Sequence, residues 1–307
     1  MTRLVRALLG ATLLLAATRP AAAQDLGHKV LGTLGLQAGA QPPTGIYVAD
    51  RFLFWDATEL FDRRGRRIPV GVSLRAVADG VGVSGTYELR PLATYVNASV
   101  AVPVARVVGS SDRTEASIDR FGLADAYVQP LKLGWRLPHL DLVTGYAFYV
   151  PTGRFEPGGG GGVSRGSWSH ELSLGHTIYF DRARTRYLSA LASWELNGRK
   201  LGLDVTRGSS VQIQGGAGAS LMRLVDVGVI GYGLWQVSDD SGAALPPALR
   251  GTRDRVYGLG LELGVTVAEA HSRVTVRWAH DLAAASRPQG QIVVVGLTWS
   301  PWQADHR

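Results

Sequence analysis

The sequence predicts an all-β fold, a transmembrane antiparallel up-and-down β-barrel of about twelve strands with both termini periplasmic. Three observations carry that prediction. Apolar and polar residues alternate in period two through a series of segments, the connections between them alternate short and long, and no long apolar run follows the first 23 residues. A helix crossing a bilayer needs roughly 20 consecutive apolar residues, so strands are left to do the crossing.

The elements follow in chain order. Residues 1–23 read as an export signal: Arg3 and Arg6 make a basic start, 7–17 an apolar stretch, and Ala21-Ala22-Ala23 a small-residue cleavage pattern. The apolar stretch is too short to span a bilayer, which disfavours the alternative of a retained anchor. Residues 24–43, "QDLGHKVLGTLGLQAGAQPP", lack period-two alternation and end on Pro42 and Pro43, which stiffen the approach to the wall. This N-terminal segment is expected to be either a short plug in the lumen or a periplasmic tail. The barrel itself is assigned to residues 44–302 and a C-terminal tail to 303–307.

Twelve segments centre on residues 45–55, 74–87, 93–105, 121–135, 140–151, 168–180, 187–197, 209–221, 225–237, 255–267, 272–282 and 290–300. The clearest faces set Leu172, Leu174, Ile178 and Phe180 against Ser169, Glu171, Ser173 and Thr177. Likewise Tyr257, Leu259, Leu261, Leu263 and Val265 oppose Gly258, Gly260, Glu262 and Gly264. Short connections fall near residues 90–91, 138–139, 181–186, 222–224 and 268–271. They alternate with longer ones near 57–72, 106–119, 152–167, 198–208, 239–253 and 284–289. That alternation is the connection pattern of an outer-membrane barrel, with short turns facing the periplasm. Tyr47, Tyr127, Trp168, Phe180, Tyr187, Trp194, Tyr257 and Trp299 suit interfacial girdles. Tyr146, Phe148 and Val150 run up a lipid-facing side until Pro151 ends the ladder. The glycine run at 158–162 that follows has neither a Walker-type lysine nor a helix start behind it, so it reads as a flexible outward loop.

Four stretches, "GTLGLQAGAQPPTGIYV" (32–48), "FGLADAYVQPLKLGWRLP" (121–138), "GYAFYVPTGRFEPG" (145–158) and "WSHELSLGHTIYF" (168–180), carry a resemblance. The chain resembles the MetA-pathway of phenol degradation family of bacterial outer-membrane proteins. The stretch Asp125, Tyr127, Gln129, Pro130 and the Tyr-x-x-Pro-Thr-Gly motif are the most telling parts. The resemblance implies a β-barrel passing hydrophobic or aromatic compounds, loosely akin to long-chain fatty-acid transporters. The family name does not by itself license phenol as the solute. One departure is the C-terminus, which continues past Trp299 and Trp302 instead of finishing on an aromatic residue.

Alternation nominates lumen-facing residues: Asp125, Tyr127, Gln129, Glu171, Glu195, Asn197, Gln212, Gln214, Glu262 and Arg277. A barrel of this size is wider than those that side chains fill and narrower than a water-filled porin. Glu171, Glu195, Glu262 and Arg277 are expected to form a charged network across a constriction, or to brace the interior with mutual ion pairs. Arg63, Arg64, Arg66 and Arg67 make a compact basic patch in the first outward loop, either gripping lipopolysaccharide phosphates or serving as a soluble loop tip.

Other classes find little support. An outer-membrane acyl hydrolase sets His and Ser two apart on one outward face. None of the seven histidines has a serine two positions later. Asp239-Asp240-Ser241-Gly242 fits no EF-hand spacing and reads as a solvated turn. The formal charge of +7 loses Arg3, Arg6 and Arg19 with the signal, and what remains is scattered, which argues against a nucleic-acid partner. There is no cysteine to form a disulfide. No cofactor and no metal are expected. The expected partners are outer-membrane lipid and lipopolysaccharide, a small hydrophobic solute and the barrel assembly machinery. A non-transporting, ligand-holding barrel is the alternative, and a soluble lipocalin-like barrel ranks behind it.

Overall fold

Alternation cannot say whether a sheet stays open; the pairing of its first and last strands does. The computed structural model describes residues 26–112, 114–157 and 162–304. The expected signal at 1–23 lies outside the described residues, as do 158–161 of the glycine run and 305–307 of the tail.

The strands are β1 (Gly45–Phe61), β2 (Arg67–Ile68), β3 (Val72–Leu89), β4 (Thr94–Ser111), β5 (Thr114–Leu123), β6 (Ala126–Leu137) and β7 (Leu140–Val150). They continue as β8 (Ser169–Tyr179), β9 (Arg186–Asn197), β10 (Ser210–Leu221), β11 (Val225–Gln236), β12 (Arg255–Val267), β13 (Ser272–Ala285) and β14 (Pro288–Gln303). β2 only extends a hairpin off β1, and β5 pairs with β4 alone. The other twelve form a closed antiparallel cylinder, because β14 returns to β1 from Gly45↔Gln303 to Leu60↔Pro288. Closure satisfies the edge amides that lipid would leave unpaired.

β1 begins and β14 ends at the same end of the cylinder, where the five short turns also lie. Two of the expected long connections contract. Residues 106–119 are mostly strand, since β4 continues to Ser111 and folds back as β5. Residues 284–289 reduce to a tight turn in which Ser286 has φ 55°. The expected single segment 121–135 is divided between β5 and β6. The cause is Pro103, which has no amide to continue the ladder. Above it β4 pairs with β5, below it with β6, and the Pro103 carbonyl accepts from the Ala124 amide at 2.8 Å.

Outward faces are apolar along the staves. Leu172 and Leu174 on β8, Leu259, Leu261 and Leu263 on β12, and Val274, Val276 and Trp278 on β13 are all exposed. A belt of this extent would drive aggregation in water, whereas in hydrocarbon its exposure costs nothing. Trp168, Phe180, Trp194, Tyr257 and Trp299 join it. Three of the expected girdle aromatics instead point inward. Tyr47 donates its hydroxyl to the Pro43 carbonyl at 2.8 Å, Tyr187 donates to Asp226 at 2.9 Å, and Tyr127 packs beside Tyr149. Each is at a strand end, where aromatic content looks the same whichever way the ring faces.

Candidate functional site

The lumen is occupied along its length by the chain's own N-terminal segment. Residues 26–44 enter from the turn end, next to Gly45, and reach the loop end, where His28 meets Asp125 and Glu195. The barrel ends therefore sit at the turn end, while Leu26 lies at the opposite one. Close approach to the wall needs glycine. A Cβ on Gly35 would stand 1.6 Å from Glu262 Oε2, and one on Gly39 would stand 2.1 Å from the His176 carbonyl. The wall makes room in turn: Leu36, fully buried, fits against Gly216, Gly218 and Gly228 of β10 and β11. Leu31 and Leu36 thereby join a core with Ile230, Tyr232, Val256 and Ile292.

An irregular segment inside a barrel has amides to satisfy, and inward side chains satisfy them. The Gly32 amide donates to Gln214 Oε1 at 2.9 Å, and the Leu36 amide to Glu262 Oε2 at 2.9 Å. The Gly39 amide donates to Ser189 at 2.8 Å. In the other direction, Arg277 donates to the Thr33 carbonyl at 3.0 Å, Lys132 to that of Ala40 at 3.2 Å and Arg136 to that of Gln41 at 2.7 Å. Two side chains of the segment reach carboxylates of the wall. Lys29 pairs with Glu171 at 2.6 Å, and His28 Nε2 lies 2.9 Å from Asp125 with its ring stacked on Tyr149.

The nominated residues thus divide. Asp125, Glu171, Glu195, Gln214, Glu262 and Arg277 contact the segment directly. Gln212 supports Gln214 through a bond at 3.1 Å and itself donates to Ser193. Tyr127 lines the lumen, and Gln129 is buried beside Gly145. Asn197 sits at the loop-end rim, bonded to Ser169 and the Gly208 carbonyl. Of the four charges placed in one network, only Glu262 and Arg277 pair with each other, at 2.7 Å. Glu171 and Glu195 turn to Lys29 and His28 instead.

Burial alone would lower the His28 pKa, but hydrogen bonds to Asp125 and Glu195, together with their charges, outweigh it and leave the pKa raised above 6.5. A raised histidine holds the segment most firmly below that ordinary value, and its contribution is lost as pH rises through the elevated folded value. Protease accessibility of residues 26–44 in the folded barrel is therefore expected to increase on that alkaline limb. His28→Gln should flatten the profile, and a wild-type profile without an alkaline rise would refute the linkage.

The segment does not fill the turn-end half. A cavity of about 1200 Å³ remains there, bounded by residues 33–43 on one flank and by β1, β3 and β4 on the other. Its mouth is at Arg223, Ala268, His271 and Gln303. Arg51, Lys132 and Arg136 project into it, and sequence reasoning nominated none of the three.

The MetA-pathway of phenol degradation family model matches residues 61–295. No protein of curated function matches the sequence. Among solved structures, an outer membrane channel from Pseudomonas putida F1 is similar at 12% identity and TM-score 0.75, covering 85% of this chain and 97% of that one. The translocator domain of the autotransporter NalP from Neisseria meningitidis has 11% identity and TM-score 0.48, covering 84% and 89%. A Pseudomonas aeruginosa FadL homologue has 9% identity and TM-score 0.40, covering 83% and 89%. With an outer-membrane barrel fold, and a family match running from the end of the first strand into the last, the chain belongs to the MetA-pathway of phenol degradation family.

Proposed function

We propose that the protein is an outer-membrane channel for passive uptake of small hydrophobic or aromatic compounds, with residues 26–44 as a plug that sets its closed state. The observation that supports this most is the lumen itself. A polar interior holds an irregular segment by single hydrogen bonds at scattered points, beside an open cavity of about 1200 Å³. Side chains that merely fill a barrel leave no such space. Liposome swelling with a panel of aromatic and aliphatic compounds tests the reading; rates no faster than empty liposomes for every compound would favour a barrel that holds ligand without flux.

A lipid hydrolase reading has less to stand on. The outward His170 is hydrogen-bonded to the Tyr146 hydroxyl at 2.8 Å, while Ser169 and Ser173 of the same strand are buried on the lumen side. Assay of phospholipid deacylation by the purified protein checks this, with no turnover expected.

In the membrane, lipopolysaccharide is proposed to meet the loop tip at Arg63 and Arg64. Arg66 and Arg67 of the same patch already pair with Asp62 and Glu59 at 2.9 and 3.3 Å. These exposed pairs contribute little and leave the tip basic. Arg63→Glu with Arg64→Glu is expected to increase sensitivity to lipopolysaccharide-disrupting agents modestly; unchanged sensitivity assigns the tip to solubility alone.

A further inference from the structure

The turn-end cavity carries an excess of fixed positive charge. Its three carboxylates are each engaged by an arginine: Asp141 by Arg184, Asp226 by Arg273 and Glu262 by Arg277. Arg51, Lys132, Arg136 and Arg223 face the same space with no carboxylate partner among the described residues. Arg136 is occupied by the Gln41 carbonyl and lies 4.4 Å from the Tyr95 ring centre, and Arg223 stands at the mouth. Lys132 has one carbonyl bond, to Ala40, and Arg51 has none.

Arg51 and Lys132 both line this cavity, from β1 and β6, and Lys132 lies within electrostatic reach of Arg51. Like charges lining one cavity with low-dielectric walls repel, and an anion between them relieves that repulsion. Guanidinium also offers a carboxylate two parallel donors. The wall next to Arg51 is built of Ala49, Gly80, Gly82 and Ala101, with Tyr127 adding an aromatic face. Small side chains on three adjacent strands leave a shallow apolar surface beside the cations.

We infer that this cavity binds small organic monoanions, aryl or short alkyl carboxylates, with the carboxylate on Arg51 and Lys132 and the apolar body along the alanine and glycine wall. The inference rests on the channel reading and narrows it: the solute is apolar over most of its surface and charged at one end. A lumen that offered only greasy contact would not turn toward its cavity a guanidinium, that of Arg51, with no salt-bridge partner among the described residues.

Calorimetric titration of the detergent-solubilised full-length protein with benzoate and with benzyl alcohol tests the site directly. Benzoate is expected to bind about tenfold tighter, equivalent to about 1.4 kcal/mol. Arg51→Gln with Lys132→Gln should erase the difference, while Arg51→Lys, which keeps the charge, should retain part of it. Equal affinity for the two compounds in the wild type overturns the proposal, as does an undiminished benzoate preference in the double variant. Should the double variant lose its heat-modifiable gel shift, the wild-type comparison decides alone. Swelling assays separate the two readings. Benzoate binding without flux of any solute removes the channel and leaves the site, whereas flux with equal affinity for acid and alcohol removes the site and leaves the channel.

Discussion

Deletion of residues 25–39 is expected to raise the single-channel conductance of the reconstituted protein severalfold while the barrel stays folded. The stability resides in the cylinder. Twelve staves close through continuous ladders, including the β1–β14 seam, and none of those bonds involves the deleted residues. The segment meets the wall through isolated hydrogen bonds and three ion pairs, His28 with Asp125 and Glu195 and Lys29 with Glu171. A typical buried hydrogen bond contributes about 1 kcal/mol net. Such contacts seat the segment without being required for closure of the cylinder. Leu31 and Leu36 leave an apolar hollow against Ile230 and Tyr232, so some thermal stability is lost as well. Planar-bilayer recording with heat-modifiable electrophoresis separates the outcomes. A folded deletion variant with wild-type conductance would refute the plug.

Glu262→Ala is expected to have the largest effect of any single substitution in the lumen. Glu262 accepts from the Leu36 amide and from Arg277 Nε, and Arg277 in turn donates to the Thr33 carbonyl. One carboxylate thus joins wall to segment at two points. Its removal leaves a largely buried guanidinium uncompensated, a loss of about 3–5 kcal/mol. Arg51 also lies within reach of Arg277, so the repulsion between them is no longer offset. The expected result is frequent opening bursts in single-channel records and an earlier heat-induced gel shift. The double variant Glu262→Ala with Arg277→Met should lose less than the single one, because no charge is then stranded. Equal or greater loss in the double variant would show that the pair is not the joint between segment and wall.

How far the sequence disclosed this arrangement depends on what period two can express. It marks the staves and the lipid face, since residues such as Leu259, Leu261 and Leu263 repeat without interruption. It also separates Glu171, Glu195 and Glu262 from their greasy neighbours, because a charge on an apolar strand has only the lumen to go to. It says nothing of what those carboxylates hold. The partner segment follows no period, and its glycines at 32, 35 and 39 signal close approach only once the wall is known. Lys132 and Arg136 escaped for a different reason. A register shift between Val128 and Leu131 flips the faces of β6, so counting onward from Gln129 sends both to lipid. Arg51 shares its lumen face with Tyr47, whose place at a strand end suits a girdle equally well, so the sequence leaves the inward side of the first strand unmarked. Pro103 hid the step between β5 and β6, since proline on a strand is legible as an interruption but not as a change of partner.

The direction in which residues 26–44 run has a practical bearing on how the protein is handled. A folded tag fused directly ahead of Leu26 would have to travel up a narrow bore before His28 could reach its seat. Such a fusion should therefore hold the bore permanently unseated, whereas a tag after Gln303, on the opposite side of the membrane from that seat, leaves threading undisturbed.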